Sequence, residues 1–114
     1  MALPKKVQIA IDTLLGPSGK SDAALRAAVF ERTRKSADET PEIPGTLDLR
    51  DLVEKIAERP WTVSDEDFSK LHHAGYSEDQ IFELIVAAAA GAGVRRFEAG
   101  LRALEAASDE GGGP

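Results

Sequence analysis

The chain has 114 residues and a mass of 12.2 kDa, and its 20 acidic and 14 basic side chains give a net charge of −6. This length corresponds to one small domain. The absence of cysteine excludes disulfides, thiolate zinc sites, iron–sulfur ligation and a cysteine nucleophile. The acidic balance argues against non-specific nucleic-acid binding, which requires Lys and Arg to neutralise phosphates.

The composition predicts an all-α fold. Ala and Leu dominate the apolar residues and aromatic residues are only 5% of the chain, and Ala, Leu, Glu, Lys and Arg are good helix formers. We predict a small bundle of about five helices in one domain, residues 1–107, followed by a flexible tail at 108–114. With few aromatic residues the core will be thin, and oligomerisation is one common remedy.

Two helices are predicted in the first 36 residues. One is predicted from about Pro4 to Leu15 and ends at the Gly- and Pro-rich turn 16–19. The next is predicted from Ser21 or Asp22 to Ser36. Two acid-first i,i+4 ion pairs are expected within it, and these are Asp22–Arg26 and Glu31–Lys35. Residues 37–46 contain two prolines and three acids, which indicates a mobile loop.

The third helix begins after Thr46, a good N-cap, and ends at Arg59-Pro60 because the residue before proline avoids the α region. Its apolar residues recur at i, i+3, i+4 and i+7, and they are Leu49, Leu52, Val53 and Ile56. A short fourth helix follows the N-cap Ser64, with Asp67 in the third helical position and Gly75 as the predicted left-handed residue that closes it.

The last helix begins after Ser77, where Gln80 completes a capping box. It is predicted to continue from Glu78 to about Ala106, and the glycines at 91 and 93 leave a kink or a break open. The run of small residues from Ala87 to Gly93 would let two helix backbones approach closely.

One segment imitates a phosphate-binding loop. Residues 15–21 end in Gly19-Lys20-Ser21, but the glycine that such a loop needs five residues earlier is Leu14, and a helix rather than a strand precedes the segment. We interpret it as a helix–helix turn.

Three residues are candidates for ligand binding: His72, His73 and Arg96. Adjacent helical positions point about 100° apart, so the two histidines do not chelate one metal, and their alternative role is to face the negative end of a helix dipole. Arg95 and Arg96 lie mid-helix, where either a structural salt bridge to Asp51, Glu54 or Glu58 or an anion site would use their charge.

No other pattern indicates chemistry. The acids are spread over all the helices, so no general acid–base pair and no catalytic residue is assigned, and we expect neither a metal nor a cofactor. Trp61 and Tyr76 are expected to fill gaps between helix ends.

The segment Leu49–Leu104 resembles the C-terminal part of the alkylhydroperoxidase D-like, or carboxymuconolactone decarboxylase-like, superfamily. The elements that carry the resemblance come in the same order, and they are Arg59-Pro60, Val63-Ser64-Asp65-Glu66-Asp67, the Leu71/Ala74/Gly75/Ser77 unit, Asp79-Gln80-Ile81 and the Ala-rich helix with Arg96. The resemblance implies a helical fold that forms homo-oligomers.

Peroxidase members of this superfamily carry a Cys-x-x-Cys motif and a histidine ahead of the matched region. This chain has no cysteine and residues 1–46 show no match, so thiol peroxidase activity is excluded chemically. The decarboxylase members do not rely on that motif, so an enzyme of that type acting on a small anionic substrate is the alternative that the resemblance leaves open.

The leading hypothesis is a homo-oligomeric structural or partner-binding module that is not an enzyme. An accessory subunit of a larger enzyme, docking through residues 37–46, is a further alternative. The longest apolar stretch, Ile85–Val94, is much shorter than the roughly 20 residues of a membrane span. Gln8 and Asp12 interrupt the N-terminal apolar residues, which argues against a signal peptide, so we expect a cytoplasmic protein that binds no membrane.

Overall fold

The computed structural model describes residues 3–35 and 42–110. Over these residues the chain is all-helical, without a strand, as the composition predicts. A short 3-10 helix, Pro60–Thr62, follows the third of five α-helices. The α-helices are α1 (Lys5–Leu14), α2 (Ala23–Arg34), α3 (Leu47–Glu58), α4 (Asp65–His73) and α5 (Glu78–Glu110).

Helix α5 is continuous through Gly91 and Gly93, so the chain does not break there. Its 33 residues correspond to about 50 Å of helix, in a molecule whose longest dimension is 60 Å and whose other dimensions are 29 and 24 Å. Residues 102–108 are all exposed, because this end of α5 projects beyond the other helices. The predicted tail therefore begins as helix to Glu110, and its residues 111–114 lie outside the described part.

The crossing of α2 and α5 is the most extensive contact between the described helices. Gly91 is buried there, and a Cβ atom at this position would overlap both the Thr33 hydroxyl and the Phe30 carbonyl oxygen. Ala87 and Ala88 are fully buried beside it. The run of small residues thus has the predicted use, since only small side chains allow this approach.

The core lies between α2, α3, α4 and α5. The α3 stripe predicted from its spacing is buried at Leu49, Leu52 and Val53. Further core side chains come from the other three helices and from the segment before α3, and these are Val29, Ile43, Leu71, Ile81 and Leu84. Burial of such side chains is the main driving force for the fold.

The predicted caps form as expected. Thr46 Oγ1 accepts the Leu49 N–H at 3.2 Å, and Gly75 has a φ of 101° after α4. At the start of α5, Gln80 Oε1 accepts the Ser77 N–H at 2.8 Å while Ser77 Oγ accepts the Gln80 N–H at 3.2 Å. These reciprocal bonds satisfy N–H groups that a helix leaves without partners.

Two expectations fail. Trp61 is 79% exposed and fills no gap between helix ends, whereas Tyr76 does pack on the core. The Asp22–Arg26 pair does not form because Asp22 caps α2, accepting the Ala24 N–H, and Arg26 is buried. The Glu31–Lys35 pair forms at 3.3 Å. Of the loop predicted at 37–46, residues 37–41 lie outside the described part.

Candidate functional site

The two histidines lie exposed in the last turn of α4. The Nδ1 atom of His73 is 2.8 Å from the Ser69 carbonyl oxygen one turn earlier. Both histidines therefore lie at the negative end of the helix dipole. This is the position expected for the alternative to a ligand role.

Arg95 and Arg96 both secure the C-terminal end of α3. Arg95 Nη2 lies 2.9 Å from Glu58 Oε1, which confirms the salt-bridge interpretation for this residue. Arg96 Nη2 donates to the Ala57 carbonyl oxygen, one of the groups that the end of a helix leaves unpaired. Neither Arg96 nor the histidines line any of the clefts described below.

The Gly-Lys-Ser segment is a turn between α1 and α2, and a carboxylate of the protein itself occupies it. Glu83 on α5 accepts the backbone N–H groups of Lys20, at 2.8 Å to Oε2, and of Ser21, at 2.8 Å to Oε1. The Ser21 hydroxyl donates to Oε1 at 2.7 Å. These donors would suit a phosphate, but Glu83 already fills the position, which explains why the motif is structural.

Arg26 completes this cluster from α2. The residue is only 1% exposed, and its Nη1 lies 3.1 Å from Glu83 Oε1 and 3.1 Å from the Ser21 carbonyl oxygen. Its Nη2 donates to the Gly16 carbonyl oxygen. The backbone N–H donors of Lys20 and Ser21, followed by the Ser21 hydroxyl and Arg26, lower the pKa of the Glu83 carboxyl to about 2.

A polar cleft of about 550 Å³ lies between α2, α3 and α5. Among the described residues that line it, four are basic and four are acidic, and they are Arg32, Lys35, Arg50, Arg95, Glu42, Asp51, Glu54 and Glu58. Several of them pair with each other, because Arg50 lies 3.3 Å from Glu42 and Arg95 binds Glu58. The balanced charge gives the cleft no net positive field with which to select an anion.

A smaller cleft of about 250 Å³ between α3 and α4 surrounds a buried carboxylate. Asp67 Oδ1 lies 2.8 Å from Lys55 Nζ, and its Oδ2 accepts the Ser64 N–H at 2.9 Å. The hydrogen bond from Lys55 is the main cause that lowers the pKa of Asp67. This aspartate therefore closes the α4 capping box, although Glu or Gln is the usual residue there.

The third depression is an apolar groove of about 580 Å³ between α1 and α5. Lys6 is the only charged residue among the described residues that line it. Its walls come mainly from apolar side chains of both helices, and they include Val7, Ala10, Leu14, Val86, Val94 and Phe97. A groove of this kind suits apolar side chains, and its described lining includes no carboxylate or imidazole for acid–base chemistry.

Exposed apolar residues extend from this groove along α5. Phe82 is 67% exposed, Phe97 is 40% exposed and Leu104 is 63% exposed. The exposure of Phe82, Phe97 and Leu104 was not predicted from the sequence. Helix length is the sequence feature that could have revealed this exposed side, since α5 is much longer than the helices that could cover it.

Two further features bear on function. Within residues 3–35 and 42–108 there is no group of three His, Asp or Glu side chains arranged to hold a metal ion. None of the described helices combines the length and the apolar character that crossing a membrane requires.

Comparisons of the chain with protein-family models, with curated proteins and with solved structures found no match. The alkylhydroperoxidase D-like resemblance of residues 49–104 therefore stays a prediction.

Proposed function

We propose that this chain is a homo-oligomeric helical module that uses the apolar surface of α1 and α5 to bind a second copy of itself or a partner protein. The observation that carries the proposal is the apolar groove between the two helices together with the exposed Phe82, Phe97 and Leu104. Exposed apolar patches of this extent on a small domain are typical of interaction sites.

Energetics favour covering this surface. A phenylalanine side chain offers roughly 200 Å² when fully accessible, so Phe82 and Phe97 together leave about 200 Å² per copy in water. At roughly 25 cal/mol per Å², burying that area contributes about 5 kcal/mol before the cost of association. The thin core of a 114-residue chain supports the same conclusion.

The proposal is also compatible with a chain that contains no cysteine and therefore has no thiol chemistry. In this view the chain is a Cys-less alkylhydroperoxidase D-like protein that keeps the helical scaffold and its tendency to assemble. An enzyme acting on a small anionic substrate has less support, because the polar cleft is charge-balanced and Arg96 is engaged with the Ala57 carbonyl oxygen.

Light scattering on a size-exclusion column tests the proposal directly. We expect a mass that is a multiple of 12.2 kDa at micromolar concentration and a Phe97→Ser variant that shifts toward the monomer. Trp61→Ser is the matched control, because Trp61 is an even more exposed aromatic residue that lies off the α1–α5 surface. A 12.2 kDa monomer at every concentration, with no partner captured by the unaltered chain that Phe97→Ser fails to capture, would contradict the proposal.

A further inference from the structure

One uncharged stripe runs along most of α5 and is open to solvent or to the α1 groove. Its members are spaced four or three residues apart and lie within about 40° of a common line on the helix. They are Phe82, Val86, Ala89, Gly93, Phe97, Gly100 and Leu104. At about 1.5 Å per residue the stripe is about 33 Å long.

Two of these residues are glycines that the single chain does not require. A Cβ atom at Gly93 or at Gly100 would meet no atom within 4 Å, in contrast to Gly91, which the α2 crossing demands. Both lie within a continuous helix, where alanine would be the more stable residue. Their small size therefore has no use inside the molecule and suits a neighbour that packs against α5.

The order of sizes along the stripe fits a second copy of α5. Ala89 and Phe97 lie four residues on either side of Gly93, Val86 and Gly100 lie seven, and Phe82 and Leu104 lie eleven. We infer that a second copy lies antiparallel against α5, with the two-fold axis at Gly93. This arrangement sets Phe97 against the partner's Ala89 and Val86 against the partner's Gly100, and it rests on the proposed function.

This pairing matches the way helices cross. Two helices are closest at the crossing point and diverge on either side of it. The proposed contact has glycine against glycine at the centre, a large residue against a small one at the next two levels, and large against large at Phe82 and Leu104. A parallel pair would instead set Phe97 against Phe97 and Gly100 against Gly100, which leaves a clash and a void at successive levels.

The two phenylalanines supply part of the area that a stable dimer buries. A stable interface buries about 800 Å² on each partner, and Phe82 and Phe97 alone supply about 200 Å² per copy. Leu104 and the groove wall formed by Val7 of α1, which is 42% exposed, extend the surface further. The partner helix would lie beside α1 in the apolar groove.

Disulfide trapping tests the register, because the natural chain contributes no cysteine of its own. Under mild oxidation at dimer-forming concentration we expect Gly93→Cys to link to itself across the axis. Ala89→Cys and Phe97→Cys should each stay unlinked alone and should link when mixed, because the mixed dimer keeps one of its two Phe97 side chains. Ala99→Cys is the matched control, since it is exposed on the same helix but lies about 120° from the stripe.

The outcomes separate the two proposals. An unaltered chain that is monomeric at every concentration contradicts the antiparallel pair and leaves only the partner-binding form of the proposed function. A dimer in which both Ala89→Cys and Gly93→Cys link to themselves is parallel, and a dimer in which only Ala99→Cys links uses another surface. Either result overturns the antiparallel register and leaves the proposed homo-oligomer standing.

A steric variant provides a second measurement. We expect Gly93→Leu to raise the dimer dissociation constant by at least about 100-fold while the chain keeps its helical circular dichroism, because a Cβ atom at this exposed position has open space in the single molecule. Ala99→Leu should leave the dissociation constant within about threefold of the unaltered value. Equal effects of the two variants would contradict a crossing at Gly93.

Discussion

Glu83 on α5 and Arg26 on α2 form an ion pair 3.1 Å long that fixes the turn between α1 and α2. Glu83 also binds the N–H groups of Lys20 and Ser21, while Arg26 binds the carbonyl oxygens of Gly16 and Ser21. The pair thus satisfies donors and acceptors of a turn that has few backbone partners. Gly19 is required beside it, because a Cβ atom there would overlap both side chains.

We expect Arg26→Met to lower the free energy of unfolding by about 3 kcal/mol. The substitution leaves buried carbonyl oxygens without the charge-assisted hydrogen bonds that the guanidinium donates. The free energy of unfolding of Arg26→Lys should lie between those of the unaltered chain and Arg26→Met, because one ammonium group replaces only part of the contact that the forked guanidinium makes. Urea unfolding followed by circular dichroism measures this effect.

Arg102→Met is the matched control for this substitution, since Arg102 is exposed on α5. It should change the free energy of unfolding by less than about 0.5 kcal/mol. Similar losses for Arg26→Met and Arg102→Met would mean that the buried pair adds no stability.

Acid should destabilise the fold over a range set by Glu83. The pKa of this carboxyl is lowered from 4.5 to about 2 in the folded chain, chiefly by the backbone N–H groups of Lys20 and Ser21. A group with a lowered folded-state pKa stabilises the fold above its unfolded pKa and loses that contribution as the pH falls through the folded value. The free energy of unfolding should therefore decline from about pH 4.5 toward pH 2, and the lowered pKa of Asp67 acts in the same direction.

Chemical unfolding at a series of pH values, compared with a Glu83→Gln variant, checks this assignment. The variant should be less stable at pH 7 and should have a shallower decline below pH 4.5, because it has one fewer carboxylate to protonate. Glu105→Gln, at an exposed position on α5, should keep the unaltered slope. A Glu83→Gln slope equal to that of the unaltered chain would assign the acid sensitivity to other groups.

The sequence predicts the features of this fold that depend on nearby residues. The caps at Thr46 and Ser77, the left-handed Gly75 and the end of α3 before Pro60 each depend on residues within about one turn, and each forms as expected. The small residues near Gly91 predict a close crossing for the same local reason, although they do not show that α2 is the partner.

Features that depend on distant residues were not predicted. Glu83 lies 57 residues after Arg26, so local spacing favoured Asp22 as the partner of Arg26, and burial of that arginine had no local signal. The exposed side of α5 was not predicted, for a related reason. Apolar spacing marks Phe97 and Leu104 as one face, but only the short lengths of the other helices show that this face lacks a cover.

Gly91 and Gly93 should respond in opposite directions to the same substitution. Gly91→Ala should lower the free energy of unfolding by about 1–3 kcal/mol, because the new Cβ overlaps Thr33 and the Phe30 carbonyl oxygen at the α2 crossing. Gly93→Ala should raise it by about 0.5–1 kcal/mol in the monomer, because the added methyl has open space and alanine favours the helix.

Urea unfolding of both variants at the lowest workable protein concentration measures the contribution of the single chain. At higher concentration the gain from Gly93→Ala should shrink, because the methyl enters the proposed crossing between copies. A loss of stability for Gly93→Ala in dilute solution would show that position 93 is already packed within the single chain.

The capping box at the start of α5 should contribute a measurable part of the stability. Ser77→Ala removes the hydroxyl that accepts the Gln80 N–H, and we expect the free energy of unfolding to fall by about 1 kcal/mol. Ser69→Ala is the matched control, because Ser69 is exposed within α4, where alanine is the better helix former. It should be neutral or slightly stabilising.

Gln80 also donates to the Lys20 carbonyl oxygen at 3.2 Å, so Gln80→Ala should lower the free energy of unfolding at least as much as Ser77→Ala. Thermal unfolding in which Ser77→Ala matches Ser69→Ala would show that α5 begins without help from this cap.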